Sequence, residues 1–458
     1  MYTERERRLV LISCGISAFI TPLLSTMMNL SLVSIGVEFD VGSHDLAYVN
    51  SAFLLSSVIF MVPFAKVGDL FGKKRTFLAG ILIITAACLM AFFSPNFWFL
   101  IMCRALMGMG AAALTCMSMS LVVDVYPPER RGGAIGMQTM CVYIGLAAGP
   151  PLGGILNDLV GWHQTFLIIL PLTVGSFALM CLFRHDIATD AGGRFDSKGA
   201  VFYGLAIALL MYGVMNMPNT WAFASIIVGA VFLVLFVRWQ SKCPYRLLKM
   251  SLFRNRVFSG SCIATFLSYA ASYSISFFLA LYLQHIGGLT ATQAGMLMLI
   301  QPAIQAVGTP VFGRVSDRMG DKRILPTAGM LVIAVALLLM MNFGLDTPFW
   351  VIILSMIVLG VGFSFFSAPN TSIIMGSVPK SETGEASAMT SVMRQSGMMV
   401  SMGIAMLYIS VIMGSADNIA PETYGDFLNV LMYSFGTCFV FCIVGAVLSM
   451  LRGKAPSE

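Results

Sequence analysis

The stretch AKVGDLFGKKR at positions 65–75 returns as GRVSDRMGDKR at positions 313–323, 248 residues later. Each copy is a charged turn in a chain that is 58% hydrophobic and only 10% charged. The two copies share the order of an Asp, a Gly and two neighbouring basic residues, which indicates an internal duplication. The duplication and the apolar sequence around each copy together indicate the fold class.

Apolar segments recur along the whole chain of 458 residues, whose mean hydropathy is +0.87. A helix needs about 20 apolar residues to cross the roughly 30 Å of hydrocarbon in a bilayer. Fourteen segments have this length, and the first runs over about 10–35. The sequence therefore predicts an all-α integral membrane protein with fourteen transmembrane helices.

The placement of basic residues tests this count independently. If the amino terminus is cytoplasmic, alternate loops contain 26 of the 27 Lys and Arg residues and the exterior loops contain none. The remaining one, Arg104, lies inside the fourth segment. Because Lys and Arg concentrate on the cytoplasmic side of membrane proteins, we expect a multi-pass protein of the cell membrane with both termini in the cytoplasm.

Composition also excludes several classes of protein. The net charge of +6 comes from basic residues spread along one membrane edge, where they face lipid headgroups, so we expect no nucleic-acid partner. None of the ten Cys falls in an exterior loop, and no cluster of metal-ligating residues or nucleophile–base motif is present in the sequence. We expect neither an enzyme nor a bound metal or cofactor.

A second pair of stretches supports the duplication. YPPERRGGAIGM at 126–137 aligns with VPKSETGEASAM at 378–389, with an offset of 252 residues. We predict an N-terminal six-helix bundle over 1–185, a linker with two extra transmembrane helices over 186–250, and a C-terminal six-helix bundle over 251–458. Parallel six-helix halves are one known transporter plan, with the substrate site near the midplane.

The chain resembles the major facilitator superfamily, specifically its fourteen-helix drug:proton antiporter branch. The loop signature of that superfamily is matched throughout by the second charged turn and partly by the first, where Ala65 and Leu70 depart from it. The matching residues are Gly313, Asp317, Arg318, Gly320, Lys322 and Arg323 in the second copy and Asp69, Gly72, Lys74 and Arg75 in the first. The resemblance implies that both turns help to hold the cytoplasmic side closed, with Asp124 and Glu129 available to Lys74 and Arg75.

The stretch GMQTMCVYIGLAAGPPLGG at 136–154 matches the antiporter signature of the family at every position. Its matching residues are Gly136, Gly145, Gly149, Pro150, Gly153 and Gly154. Gly145, Gly149 and Gly153 follow at four-residue spacing, so they share one helix face and allow another backbone to approach closely. Pro150 removes a helical hydrogen bond and favours a bend.

Arg104 in RALMGMGAAA resembles the membrane-embedded Arg of the family, which is linked to proton transfer or substrate binding. It lies about eight residues from the outer helix end, roughly 12 Å deep at about 1.5 Å per residue. An unpaired charge at that depth costs at least about 2.5 kcal/mol. We therefore expect Arg104 to face the bundle and to have a partner there; a purely structural buried Arg is the alternative.

Polar residues within the apolar segments are candidates for the lining of a substrate cavity or proton path. In the ninth segment, Tyr269, Ser272, Tyr273 and Ser276 recur at three- or four-residue steps, which predicts one polar, aromatic helix face. The other candidates are Thr26, Asn29, Gln138, Tyr143, Asp158, Gln301, Gln305, Asn370 and Arg394. Together with 34 Met and 34 Phe they describe a large, mostly apolar pocket that can adapt to different ligands.

One departure from the antiporter pattern concerns proton coupling. The first segment reads LLSTMMNLSLV, which keeps Thr26 and Asn29 of the family pattern but has Leu24 where the family has an acid. None of the 21 acidic residues falls at the predicted midplane, and the nearest candidates for a proton-carrying group are Asp124, Asp158 and His163. A buried counter-ion for a cationic drug is also missing, which favours neutral, zwitterionic or lipid-like cargo.

The sequence thus predicts a monomeric alternating-access transporter that exports hydrophobic or amphipathic compounds, as multidrug efflux proteins do, by proton antiport. Its expected partners are these small compounds, protons and membrane lipids. A flippase or facilitator for a lipid or metabolite, without proton coupling, is the alternative. A transporter-like receptor is a third reading, although the chain offers no cytoplasmic signalling domain for it.

Overall fold

The computed structural model describes residues 2–188, 193–217, 219–248, 250–319, 321–379, 383–414 and 419–453. These residues are almost entirely helical, and no strand occurs among them. The helices before the second copy are α1 Glu4–Met27, α2 Leu32–Phe39, α3 Ser43–Phe71, α4 Lys73–Phe92, α5 Phe97–Val125, α6 Pro128–Val160, α7 Gln164–Leu167, α8 Ile169–Leu182, α9 Ser197–Met215 and α10 Thr220–Lys242. Those that follow are α11 Arg256–Ala270, α12 Tyr273–His285, α13 Ala291–Met298, α14 Ile300–Arg318, α15 Ile324–Met340, α16 Phe349–Gly376, α17 Thr383–Tyr408 and α18 Tyr424–Leu451.

The helical spans agree approximately with the fourteen predicted transmembrane segments. Within the described residues, thirteen spans are long and apolar enough to cross a membrane. The remaining predicted segment is α15, an apolar helix of 17 residues. The prediction of an all-α membrane fold is confirmed.

Several predicted single helices are interrupted, and two of the interruptions lie in the first predicted helix of each copy. After α1 the chain forms a short 3-10 turn over Met28–Leu30 before α2 begins. The first segment of the second copy ends α11 at Ala270 and resumes as α12 at Tyr273. The regular α-helix is therefore interrupted in the first helix of each copy, a few residues apart when the copies are aligned.

The chain divides into two compact units. Unit 1 comprises Met1–Val41, Tyr48–Ala208 and Val231–Leu247, and unit 2 comprises Gly42–Ala47, Leu209–Ala230 and Leu248–Glu458. In unit 1 α1 packs against α6 and α4 against α5; in unit 2 α11 packs against α17 and α15 against α16. These pairs occupy equivalent places in the two copies, as the duplication predicts.

The inserted helices α9 and α10 each contribute to both units. In unit 1 their ends meet at Asp196, which is 6% exposed and caps α9 through the backbone N–H of Gly199 at 2.8 Å. Asp196 also accepts hydrogen bonds from Trp239 Nε1 at 2.9 Å and Gln240 Nε2 at 2.7 Å. In unit 2 the hydroxyl of Ser225 donates to the Leu209 carbonyl at 2.8 Å. The predicted limits of the linker, 186–250, enclose this hairpin.

Candidate functional site

The first charged turn is held by a residue that the sequence did not single out. Asp186, which follows α8, accepts a hydrogen bond from the Lys74 backbone N–H at 3.1 Å and pairs with Arg75 Nε at 3.1 Å. The Lys74 ammonium donates to the Phe183 carbonyl. Gly72 has a φ of +111°, and a Cβ there would lie 2.4 Å from the Asp186 carboxylate. Only glycine fits this turn without strain or collision.

Lys73 supplies the ion pair that was predicted for its neighbours. Its side chain is 5% exposed, and its ammonium lies 2.5 Å from Asp124 Oδ2 and 3.7 Å from Asp69 Oδ1. Lys74 and Arg75, which were expected to contact Asp124, instead bind the segment after α8. The physical reason is that Lys73 opens α4 and points toward the C-terminal end of α5. The side chain of Glu129 lies outside the described residues.

The glycines of α6 bring this helix onto α1 at backbone distance. A Cβ on Gly145 would lie 2.4 Å from the Phe19 carbonyl, and one on Gly153 would lie 2.3 Å from the Met27 carbonyl. Between them, a Cβ on Gly149 would meet Thr26 Oγ1 at 1.8 Å. Side chains larger than hydrogen are excluded along this face.

The other residues of the same stretch behave differently. A Cβ on Gly136 would have no atom within 4 Å, so this position has no close neighbour. Pro150 and Gly154 are buried, and α6 continues through the proline without interruption. The close approach predicted from the spacing is therefore concentrated at the three glycines four residues apart.

Arg104 is fully buried and is held by backbone carbonyls. Its Nε donates to the Val49 carbonyl at 2.9 Å and its Nη1 to the Leu24 carbonyl at 3.1 Å. The guanidinium also stands over the Phe53 ring, 4.8 Å from the centroid. One partner of this buried charge is thus the backbone carbonyl of Leu24, the residue that stands where the family pattern has an acid.

Next to this site two amides join the break after α1 to α3. Asn50 Nδ2 donates to Asn29 Oδ1 at 2.7 Å, and both side chains are buried. Asn50 directly follows Val49, whose carbonyl binds Arg104. Asn29 and Arg104 therefore belong to one polar core that connects α1, α3 and α5. The sequence drew attention to Asn29 but gave no signal for its partner.

Comparison with known proteins shows to which family the chain belongs. A family model described as the Major Facilitator Superfamily matches residues 14–242 and 261–458. The chain belongs to the Major Facilitator Superfamily. This superfamily member is 28% identical over 381 residues to the riboflavin transporter RibZ of Clostridioides difficile (strain 630), covering 83% of each chain. It is 28% identical over 400 residues to the multidrug resistance protein Stp of Mycobacterium tuberculosis (strain CDC 1551 / Oshkosh), covering 86% of this chain and 74% of that protein.

Solved structures show the same fold. The chain superimposes on a POT family transporter in complex with a thioalcohol-conjugated peptide with a TM-score of 0.75 and 15% identity, covering 98% of this chain and 97% of that one. A bacterial homologue of the human lysosomal transporter Spinster gives a TM-score of 0.68 and 16% identity, with 98% of each chain covered. At these identities the likeness establishes the superfamily fold alone.

The second superfamily signature turn has a different set of contacts from the first. Arg323 pairs with Asp321 through Nη2 at 2.7 Å and donates from Nη1 to the Met450 carbonyl at 3.1 Å. Arg318 is exposed, and Lys322 is half-buried. Asp321 stands where the first turn has Lys73, so the charge at this position is reversed between the copies. A Cβ on Gly313 would make ordinary contact with Ala368 at 3.4 Å. Gly320 and the side chain of Asp317 lie outside the described residues.

Asn370, predicted to line a cavity, is buried in a polar network at the end of α18. It is 1% exposed, donates from Nδ2 to Thr265 Oγ1 at 2.9 Å and accepts from the Arg452 guanidinium. Arg452 also donates to Ser261 Oγ at 2.9 Å. Burial, together with repulsion from Arg323, lowers the pKa of Arg452 to about 10, so it remains charged at neutral pH. The network occupies Asn370 fully and ties α11, α16 and α18 together.

The polar face predicted for the ninth segment is divided by the helix break. Tyr269 lies in the last turn of α11, where its ring centroid is 6.0 Å from that of Phe363. Tyr273 is the first residue of α12. Ser272 lies in the interruption and is buried. The predicted face therefore extends over two helical pieces, and its role in lining a cavity stays a prediction.

A serine from α17 stabilises this break. The hydroxyl of Ser401 accepts a hydrogen bond from the Ser274 backbone N–H at 2.9 Å, and the two hydroxyls are 3.0 Å apart. In the repeat, Ser401 corresponds to Gly149, which touches Thr26 beside the other break. The Ser401 hydroxyl thus supports the helix break in unit 2, whereas in unit 1 the equivalent Gly149 packs closely on Thr26, next to the helix break there.

The remaining predicted cavity residues differ in exposure. Gln138, Tyr143 and Gln305 are buried, Gln301 and Arg394 are half-buried, and Asp158 is exposed. The exposed position of Asp158, on the last turns of α6, is that of a surface residue. No geometry among the described residues gathers these side chains into one pocket within a unit, so their role in substrate binding stays a prediction.

His163 belongs to an aromatic cluster at the other end of unit 1 from the charged turn. Its ring stacks on Trp162 with centroids 3.7 Å apart, and its Nε2 lies 3.6 Å from Glu38 Oε1. Trp162 Nε1 donates to Glu38 Oε2 at 2.6 Å. These contacts link the end of α2 to the start of α7.

The geometry of the first turn makes a specific prediction for Asp186→Ala. This change removes the acceptor for the Lys74 N–H at the start of α4, and losing such a cap costs about 1 kcal/mol. We expect a lower melting temperature and weaker transport, both partly restored in Asp186→Asn because the amide oxygen still accepts. Thermal unfolding of the purified variants measures the first effect. Equal losses in both variants would show that the charge, and not the hydrogen bond, holds the turn.

Proposed function

We propose that this superfamily member exports hydrophobic or amphipathic compounds across the cell membrane by alternating access, and that proton antiport drives the export. The observation that carries the proposal is the seating of Gly145, Gly149 and Gly153 of α6 on the backbone of α1. This stretch is the one that resembles the antiporter branch. A close, glycine-lined contact of this kind suits a helix that pivots while excluding water and ions.

The relatives support a small-molecule cargo without fixing it. Stp is named for multidrug resistance and RibZ for riboflavin, and both are similar to this chain over most of its length. Both names refer to small organic molecules. For this chain the buried positive charge of Arg104, which the backbone carbonyls of Leu24 and Val49 hold, favours a neutral or zwitterionic molecule over a cation.

One observation favours a second function, the movement of a lipid or metabolite without proton coupling. Leu24 replaces the acid of the family pattern, and its carbonyl binds Arg104. Among the described residues, Asp196 is the one buried carboxylate, and three side-chain and backbone donors hold it at the start of α9. A proton would therefore have to be carried by a group at the membrane edge, such as Asp124.

Transport by the purified protein in proteoliposomes tests the proposed cargo. A panel of lipophilic cations, neutral amphiphiles and zwitterions of similar size is loaded, and efflux is followed for each. We expect neutral and zwitterionic amphiphiles to move faster than the cations, and empty liposomes to show neither. Preference for the cations would contradict the assignment of the cargo class, and transport of polar metabolites alone would contradict export of amphipathic compounds.

A further inference from the structure

The cytoplasmic end of α1 carries three arginines that differ sharply in their partners. Arg7 points toward the protein, where its Nη1 lies 2.9 Å from Glu4 Oε1. The same carboxylate oxygen accepts from Arg130 Nη1 at 2.9 Å. Arg5 and Arg8 are exposed, and no ion pair joins either of them to a carboxylate in the described part of the chain. Two positive charges therefore remain uncompensated on one side of the helix.

The uncompensated arginines share a groove with apolar side chains. Arg5, Arg8, Leu9 and Ile12 follow at helical spacing along one face and, with Glu4, line a groove of about 310 Å³. Ile12 is 52% exposed. This helix is long and apolar enough to span a membrane from Glu4 to Leu30. Because a helix rises about 1.5 Å per residue, the apolar pair lies on average about 6 Å deeper than the arginines.

Electrostatics in this groove favours an anion. Glu4 also lines the groove and pairs with Arg7 and Arg130, so Glu4 and the four arginines around it together carry a net positive charge. The positive end of the α1 dipole adds to the two guanidinium charges instead of opposing them. Guanidinium groups bind phosphate oxygens through several parallel N–H donors. An anion seated here would relieve the repulsion between the arginines and the helix end.

We propose that this groove binds the phosphate of an anionic phospholipid, with Arg5 and Arg8 on the headgroup and Leu9 and Ile12 against the acyl chains. The order of the groups along the helix axis, charged at the cytoplasmic end and apolar further in, matches the order of headgroup and chain in a lipid leaflet. A soluble phosphate would use the arginines but gain nothing from the exposed isoleucine. The inference does not depend on which compound the protein exports.

The test measures lipid bound to the purified full-length protein by native mass spectrometry in detergent. Phosphatidylglycerol is titrated against phosphatidylcholine for the wild type, for Arg5→Gln/Arg8→Gln and for Arg238→Gln/Lys242→Gln. The last pair is a matched control, because it removes two exposed cations, four residues apart, from the opposite end of a spanning helix. Basic residues near a membrane surface each contribute measurably to binding of anionic lipid, so we expect at least a tenfold loss of one phosphatidylglycerol in the first variant.

The control variant should retain that lipid, whereas Ile12→Ser should bind it more weakly. Inorganic phosphate should not displace the lipid. Equal loss in both double variants would contradict a specific site, as would unchanged binding in both. Displacement of the lipid by millimolar inorganic phosphate would assign the groove to a soluble anion instead. If the double variant fails to fold, Arg5→Gln and Arg8→Gln alone are each expected to weaken phosphatidylglycerol binding severalfold in the same titration.

Discussion

Replacing Gly145 or Gly153 with alanine should abolish transport while leaving the protein in the membrane. The added Cβ would lie 2.4 Å from the Phe19 carbonyl or 2.3 Å from the Met27 carbonyl, and neither backbone atom can rotate away. Relieving such an overlap forces α6 away from α1, and overpacking of this kind costs about 1–3 kcal/mol. We expect transport to fall by more than tenfold in proteoliposomes.

Gly136→Ala provides the matched control on the same helix. A Cβ there meets no atom within 4 Å, and alanine is favoured over glycine in a helix by about 1 kcal/mol. This variant should transport normally and unfold at the same or a higher temperature. Gly397→Ala extends the test to unit 2, where the Phe266 carbonyl would lie 2.4 Å from the new Cβ. Normal transport by Gly145→Ala and Gly153→Ala would contradict the role given to the α1–α6 contact.

Arg104→Met should separate the functional from the structural role of this buried charge. Methionine follows the path of the arginine side chain as far as Nε and needs no hydrogen-bond partner, and apolar replacement of buried ionic groups is often neutral for stability. The carbonyls of Leu24 and Val49 lose a charged donor, yet the packing beneath Phe53 is retained. We expect a melting temperature close to that of the wild type and a loss of transport of about a hundredfold.

Arg104→Lys is the second arm of this experiment. Lysine keeps the charge, but its single ammonium cannot reproduce the two donors that reach α1 and α3 together. Its transport should lie between those of the wild type and Arg104→Met. Full transport by Arg104→Met would show that the arginine serves only to pack the bundle. A large fall in melting temperature with proportionate loss of transport would lead to the same conclusion.

The sequence predicted the spans and the duplication well, because both depend on local composition and on repeated spacing. It could not predict the break at Ala271–Ser272, since these residues are compatible with a helix. The break is stabilised from 127 residues away, by the Ser401 hydroxyl on the Ser274 N–H. A pattern confined to the ninth segment contains no trace of that partner.

The contacts of the charged turns were missed for a related reason. The signature marks Lys74 and Arg75, but the distances are set by the segment that returns after α8 and places Asp186 under the turn. Lys73 lies at a variable position of the signature, so only the fold shows that it reaches Asp124. Arg452 was counted as one of the cytoplasmic charges, whereas α18 carries it into contact with Asn370.

Proton movement during transport is the direct test of proton antiport by this protein. The purified protein is reconstituted with a pH-sensitive dye inside the liposomes, and a transported neutral amphiphile is added on one side without a pH gradient. Export by proton antiport predicts a substrate-dependent change of internal pH in fixed proportion to the amount transported, abolished in Gly145→Ala. Transport of the same amphiphile with no change of internal pH would contradict antiport, and Leu24 in place of the family acid would then explain an uncoupled carrier.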